Sequence, residues 1–296
     1  MSLRIRDVVR IATAHRQREG AGFIVRRPFP GFELDMVDPF LLLDEMGPAD
    51  YGPGEAVGAP DHPHRGFETV TYMLEGAFEH EDSAGYRGRI EAGDVQWMTA
   101  GAGIVHSEMP AREIREKGGR VHGFQLWVNL PARLKMTRPR YQEVPSSRIP
   151  TAQSEDGRAR VRVIAGEALG AGAVIDTHIP IVFQDWTLDP GADVTLPLSD
   201  RLSAFVYVFQ GSARLGSDGR LVHEGQAALL GPGEGVRLRG AEGETGRLLL
   251  LAGEPIREPV ARYGPFVMNT REELLQAFMD FEAGRFGEIT RTAERK

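Results

Sequence analysis

The stretch that decides the fold is DHPHRGFETVTYMLEGAFEHEDSAGYRGRIEAGDVQWMTAGAGIVHSEM, residues 61–109. It carries two pairs of donor side chains at one spacing, His62 with His64 and His106 with Glu108. Along an extended strand successive side chains alternate between faces, so positions i and i+2 project the same way, about 6.6 Å apart. Each pair can therefore aim two donors at one point. Between the pairs lie a strand-like run at 69–74, a glycine-rich turn region at 75–88 and a second run at 94–98. An antiparallel barrel of such strands would bring the pairs together. Three imidazoles and one carboxylate facing one cavity suit a divalent transition metal.

Working outward, the 296 residues are enough for one large domain or two ordinary ones. Hydrophobic content of 41% and charged content of 26% are those of a soluble globular chain. There is no cysteine, which excludes disulfides, thiolate metal sites, iron–sulfur clusters and a cysteine nucleophile. Any metal must be held by His, Asp or Glu. The first residues, MSLRIRDVVRIATAHRQREGAGF, scatter charge through the segment and offer no apolar core of signal-peptide length, and no later run approaches a membrane span. The expectation is a cytoplasmic protein with no membrane partner. Net charge is −7 and the basic residues are dispersed, which disfavours direct binding to nucleic acid. Of the 35 basic residues only Lys117, Lys135 and Lys296 are lysine, a bias of composition without mechanistic content.

Ahead of the donor stretch, residues 40–43 read as a buried strand, and repeated Gly and Pro at 47–58 predict an irregular lead into His62. Within and after it, short β-branched or aromatic runs separated by glycine recur at 68–74, 88–90, 95–98 and 104–108. Residues 123–130 form a strong strand ended by Pro131. The segment 131–156 reads as a connection, placing a boundary near 135–150 and dividing the chain into blocks 1–140 and 141–296.

The same rhythm then returns. YMLEGAF at 72–78 resembles VFQGSAR at 208–214, and EAGDVQWM at 91–98 resembles HEGQAALL at 223–230. Such self-similarity predicts a duplicated barrel. The second copy offers Leu196, Leu198 and Ser199 where a histidine pair would stand, and Arg237 or Leu238 where the later donor would be. One metal, in the first barrel, is expected. Near the end, Thr270-Arg271-Glu272-Glu273 has the form of a capping box, followed by Leu274, Leu275, Phe278 and Met279 at helical spacing and a stop at Gly284. This predicts a short helix over 271–283 with those four side chains against a barrel. The fold class is thus all-β, two tandem antiparallel barrels with a short C-terminal helix.

The chain resembles the pirins, two-barrel members of the cupin superfamily. The likeness is carried by DHPHRGFETVTYMLEG at 61–76, HEDSAG at 80–85, GDVQWMTAGAGIVHSEMP at 93–110, FQLWVNLP at 124–131 and GPFVMNTREELLQAFMDFEAGRFG at 264–287. It implies two cupin barrels with a single metal, usually iron, in the first, held by His62, His64, His106 and Glu108. In the broader cupin pattern the acid following the histidine pair, here Glu68, would be a ligand, and Gly101 stands where proline is common. The pirin resemblance places Glu68 behind the ligands or in a core hydrogen bond instead. The remaining histidines, His15, His80, His122, His178 and His223, read as ordinary hydrogen-bonded or surface residues, and Gln125 and Trp127 as strand packing.

Three imidazoles and one carboxylate leave a divalent ion two vacant positions if octahedral, and would fill a tetrahedral zinc. Fe(II) is the expected ion. The resemblance implies a small aromatic chelating substrate and O2: a quercetin-type flavonol cleaved by 2,3-dioxygenation with loss of carbon monoxide, Glu108 taking the substrate proton. It equally implies a second role, an iron-binding, redox-responsive regulator acting through a protein partner, as a transcriptional co-regulator or a modulator of a metabolic enzyme. A metal-free small-ligand-binding barrel is a third reading.

Overall fold

The computed structural model describes residues 3–290. These divide into two compact units, each built from two antiparallel sheets. The donor-bearing unit comprises Arg16–Val25, Asp44–Ser146 and the chain from Ile256 onward. In its larger, seven-stranded sheet Arg140–Val144, Val95–Thr99, Phe67–Glu75 and Gly119–Asn129 stand in that order. Its smaller sheet has the order Ala59–His64, Ile104–Pro110, Phe78–Asp82, Arg87–Ile90. Ala59–His64 is the edge strand, which suits a segment whose Pro60 and Pro63 have no N–H to give a neighbour.

The other unit repeats the plan. Its seven-stranded sheet runs Val8–Thr13, Gln226–Leu230, Ser203–Gln210, Gly246–Gly253, Ile181–Leu188, Ala159–Ala165, Thr151–Gln153. Its four-stranded sheet runs Asp193–Pro197, Gly235–Gly240, Ser212–Leu215, Arg220–His223. The duplicated barrel expected from the sequence is present, and register identifies what fills the positions of the donors. With Gly93, Gly101 and Gly103 set against Gly225, Gly233 and Gly235, Leu238 takes the place of His106 and Gly240 that of Glu108. His106 pairs with His62 and Ile104 with His64, while Leu238 pairs with Val194 and Val236 with Leu196. Val194 and Leu196 therefore occupy the histidine places. Leu198 and Ser199 lie beyond the strand, and Arg237 is turned outward onto Asp193 at 2.5 Å, so these three of the expected replacements are not the equivalent residues. Val194, Leu196, Val206, Leu215, Val236, Leu238 and Leu250 belong to one continuous aliphatic core.

The units do not follow the blocks 1–140 and 141–296. The chain passes between units after residues 15, 25, 43, 146 and 255, so each unit takes in segments from both blocks. Arg140–Val144 closes the edge beside Val95–Thr99, and the equivalent edge beside Gln226–Leu230 is closed by Val8–Thr13 from the start of the chain. The helix Arg271–Glu282 belongs to the donor-bearing unit instead of the second barrel. Its capping box forms as read: Glu273 N donates to Thr270 Oγ1 at 3.2 Å and Thr270 N donates to Glu273 Oε2 at 2.9 Å. The buried stripe differs from the expected one. Leu274 and Ala277 are buried and Phe278 packs with them, whereas Leu275 and Met279 are 58% and 60% exposed. The rotation has a polar cause, since it carries Asp280 inward to a guanidinium, that of Arg65.

Replacing Thr270 with Ala removes one arm of the box and exposes a helix-terminal N–H. Urea unfolding is expected to show a loss of about 1 kcal/mol, with the midpoint falling and the slope unchanged.

Candidate metal centre

The edge strand and its neighbour bring His62, His64 and His106 together, with ligand atoms within 4.8 Å of one another. His64 and His106 are buried at 3% and 1% exposure, and His62 is half-buried at the open side. The rings sit at centroid separations of 4.7 Å (His62–His64), 4.3 Å (His62–His106) and 4.8 Å (His64–His106).

Each ring has its other nitrogen engaged. His62 Nδ1 donates to Pro60 O at 2.8 Å, and His64 Nδ1 faces Pro265 O at 3.4 Å. Because a carbonyl can only accept, both rings carry the proton on Nδ1 and present a bare Nε2. Those two Nε2 atoms lie 3.1 Å apart. Two lone pairs at that distance repel unless a cation lies against both. His106 Nδ1 meets His80 Nε2 at 2.9 Å, and His106 Nε2 is a buried atom with no hydrogen-bond partner. Burial, then the neighbouring rings, hold the His64 and His106 imidazoles well below their ordinary value, so both stay neutral. Three converging Nε2 atoms, each on a ring held at its Nδ1, fit a transition metal.

Glu108, expected as the fourth ligand, is on the same strand but is not in the three-histidine group. The register slips between His106, paired with His62, and Glu108, paired with Ala59, but the extra residue lies in the edge strand; against Phe78–Asp82 their own strand runs regularly from His106 to Glu108, so the two side chains project from the same face. Its oxygens accept from Thr71 Oγ1 at 2.9 Å and Gln125 Nε2 at 2.8 Å. A carboxylate oxygen has a second lone pair, so these bonds leave Glu108 able to accept from a further group. Glu68 is fully buried and accepts from Thr99 Oγ1 at 2.7 Å, away from the three rings. Position 68 has the opposite parity from Thr69, Thr71 and Met73, so it faces the other side of its strand.

Three residues read as background line the site instead. His80 orients His106. Gln125 holds Glu108, and Trp127 stands edge-on to His64 at 5.2 Å and 4.3 Å from Phe67, with its indole N–H 3.4 Å from Gln125 Oε1. Their signal in sequence was parity: Gln125 and Trp127 pair with Thr71 and Thr69, whose side chains share the Glu108 side of the sheet. Beyond His80 lie Tyr141, its hydroxyl 3.4 Å from Nε2, and Tyr86 stacked on Tyr141 at 4.7 Å. His122 is bonded to Glu45 at 2.8 Å, and His15 and His223 are exposed, as expected of background histidines.

The family model for pirin matches residues 22–128, and that for the pirin C-terminal cupin domain matches 183–287. The chain belongs to the pirin family. Among curated relatives, a tomato pirin-like protein is 46% identical over 285 residues, covering 96% of this chain and 94% of that one. Human pirin is 44% identical over 277 residues, covering 93% and 91%. Among solved structures, the quercetin 2,3-dioxygenase of Acinetobacter baumannii superposes with a TM-score of 0.89 at 38% identity, covering 97% of this pirin and all of that chain. The two-cupin reading of the sequence is thereby established.

Neutral buried histidines make the stability of the metal-free protein fall with acid. Unfolded, each imidazole takes up a proton below about pH 6.5. Folded, His64 and His106 do not, because their values are depressed. Their contribution to the metal-free protein is therefore complete above about 6.5 and is lost as pH falls below it, by at most about 1.4 kcal/mol per pH unit for each ring. Urea midpoints of the metal-free protein between pH 7.5 and 5.5 should show this slope, and His106→Leu should reduce it by about one proton.

Proposed function

We propose that this pirin is a metal-dependent dioxygenase, with Fe(II) as the ion, that cleaves quercetin-type flavonols with O2. The observation that carries the reading is the convergence of the Nε2 atoms of His62, His64 and His106, with His62 half-buried beside the two buried rings. The 38% identity to a protein solved as quercetin 2,3-dioxygenase supports the substrate class. When bound, iron supplies a Lewis acid and one-electron exchange with oxygen. The chain's own residues do the rest. The three histidines hold the ion. Glu108, its carboxylate held by Thr71 and Gln125, takes the proton from the flavonol hydroxyl and, by shifting its bonds, joins the ligand set. Trp127 and Phe67 offer an apolar wall for a flat ring and keep water from it. Both oxygen atoms enter the opened ring and one substrate carbon leaves as carbon monoxide, so the flavonol is oxidised and O2 reduced without a further reductant.

A second reading stands beside it, since the names of the curated relatives, pirin and pirin-like protein, state no activity. It makes the chain an iron-binding, redox-responsive regulator that acts through a protein partner. The cytoplasmic setting expected from the sequence belongs to both readings; no helix among the described residues is long and apolar enough to cross a membrane.

Protein loaded anaerobically with Fe(II), then given quercetin and O2, should bleach the flavonol absorbance. His62→Ala should abolish both iron retention and turnover. Glu108→Gln should keep most of the iron and lose about 10²–10⁴-fold in kcat. Full iron occupancy with no bleaching would reject the dioxygenase in favour of the regulator.

A further inference from the structure

The tail of the ligand strand, His64-Arg65-Gly66, is gripped by residues 262–286 of its own unit. Val267 N donates to Arg65 O at 3.1 Å, and Arg65 bridges Phe266 in parallel register. Pro265 O faces the Arg65 backbone N–H and His64 Nδ1, each at 3.4 Å. Gly66, at φ +90°, comes so close that a Cβ there would stand 2.0 Å from Val267 O, so only glycine permits the approach. The buried Lys135 ammonium joins the same two segments, donating to Gly66 O at 2.8 Å, Val267 O at 3.0 Å and Asn129 Oδ1 at 2.7 Å.

The Arg65 side chain points at the helix. Its Nη1 donates to Asp280 Oδ2 at 2.7 Å, its Nε donates to Ala102 O at 2.6 Å, and its guanidinium lies 4.5 Å from the centre of the Phe286 ring. Asp280 also accepts from Gln276 Nε2 at 2.7 Å and is paired with Arg285. The bond from Arg65, then that from Gln276, holds its carboxyl down to about 2, so it stays ionised. An amphipathic helix has no need to turn an acid inward and leave Leu275 and Met279 in water unless the buried acid does something that apolar contact would not.

We infer that the C-terminal arm completes the metal centre: Asp280, through Arg65, sets Pro265 O against His64 and thereby fixes the tautomer that leaves His64 Nε2 bare for the ion. Arg65 and Asp280 are positioning residues on this view, and neither touches the ion. Without the carbonyl, the His64 proton is free to move to Nε2, and that ring ceases to be a ligand. The inference rests on the three-histidine reading of the centre.

Two measurements on the full-length protein test it: Co(II) affinity by competition with a chelator, and long-range ¹H–¹⁵N imidazole spectra of the metal-free form. Asp280→Ala is expected to weaken Co(II) binding about 10–100-fold and to replace the single Nδ1–H signature of His64 with a mixture. Arg65→Lys, which keeps a cation opposite Asp280, should bind more tightly than Arg65→Ala. A folded Asp280→Ala with wild-type affinity and an unmixed His64 tautomer overturns the inference. Should that variant fail to fold, Asp280→Asn is held to the same two readings. Loss of Co(II) binding in His62→Ala with retention in the wild type secures the centre itself. A wild type that takes no Co(II) rejects the centre, which is a different result from failure of the arm.

Discussion

The first barrel answers one electrostatic constraint: three imidazoles, two of them buried, bring their Nε2 atoms toward one point. Left alone, the arrangement is unfavourable, because buried acceptors without a donor cost on the order of 1–3 kcal/mol each. A divalent cation turns that cost into binding energy. The neighbours make sense in this light. Pro60 and Pro265 accept from the far nitrogens of His62 and His64, so neither ring can relieve the repulsion by turning over, and His80 meets the far nitrogen of His106. Burial keeps His64 and His106 from escaping it by taking a proton.

The second barrel shows what the same scaffold becomes when the constraint is lifted. Val194, Leu196 and Leu238 stand at the places of the three histidines, and Val206 and Leu250 at those of Thr71 and Gln125. The exchange is wholesale because half of it would be worse than none. A single histidine left among aliphatics would bury an unsatisfied nitrogen, whereas removing every polar member at once returns the interior to ordinary apolar packing. Duplication thus left one barrel with a cluster of three histidines and one with aliphatic side chains at the matching positions.

The sequence disclosed the barrel pair, the capping box at Thr270 and the three histidines, because each rests on local regularity: period-two spacing, glycine punctuation, a cap followed by its partner three residues on. It was silent where distant parts meet. Nothing local to Val8–Thr13 says that it closes an edge made more than two hundred residues later. Nothing in the helical spacing of Leu275 and Met279 reveals that the helix rolls to bury Asp280, since the partner, Arg65, is far away in sequence. Glu108 was placed by alternation, which its strand keeps, but alternation does not say that Thr71 and Gln125, from two other strands, hold its carboxylate. Gln125 and Trp127 were legible in type but not in direction, because which face of a two-sided strand looks into the site depends on register.

The exchange of chain ends bears on synthesis. Residues 44–146 leave the ribosome with nearly all of the first barrel in hand, yet the segment that lies against His64 is still to be made. At translation speeds of about 5–20 residues per second, the strands wait on the order of ten seconds for it. During that interval the nascent barrel holds histidines whose ring orientation is not yet enforced, at a time when any abundant cellular cation can reach them. The orientation of one ring in the first barrel thus waits on a carbonyl 201 residues further along the chain.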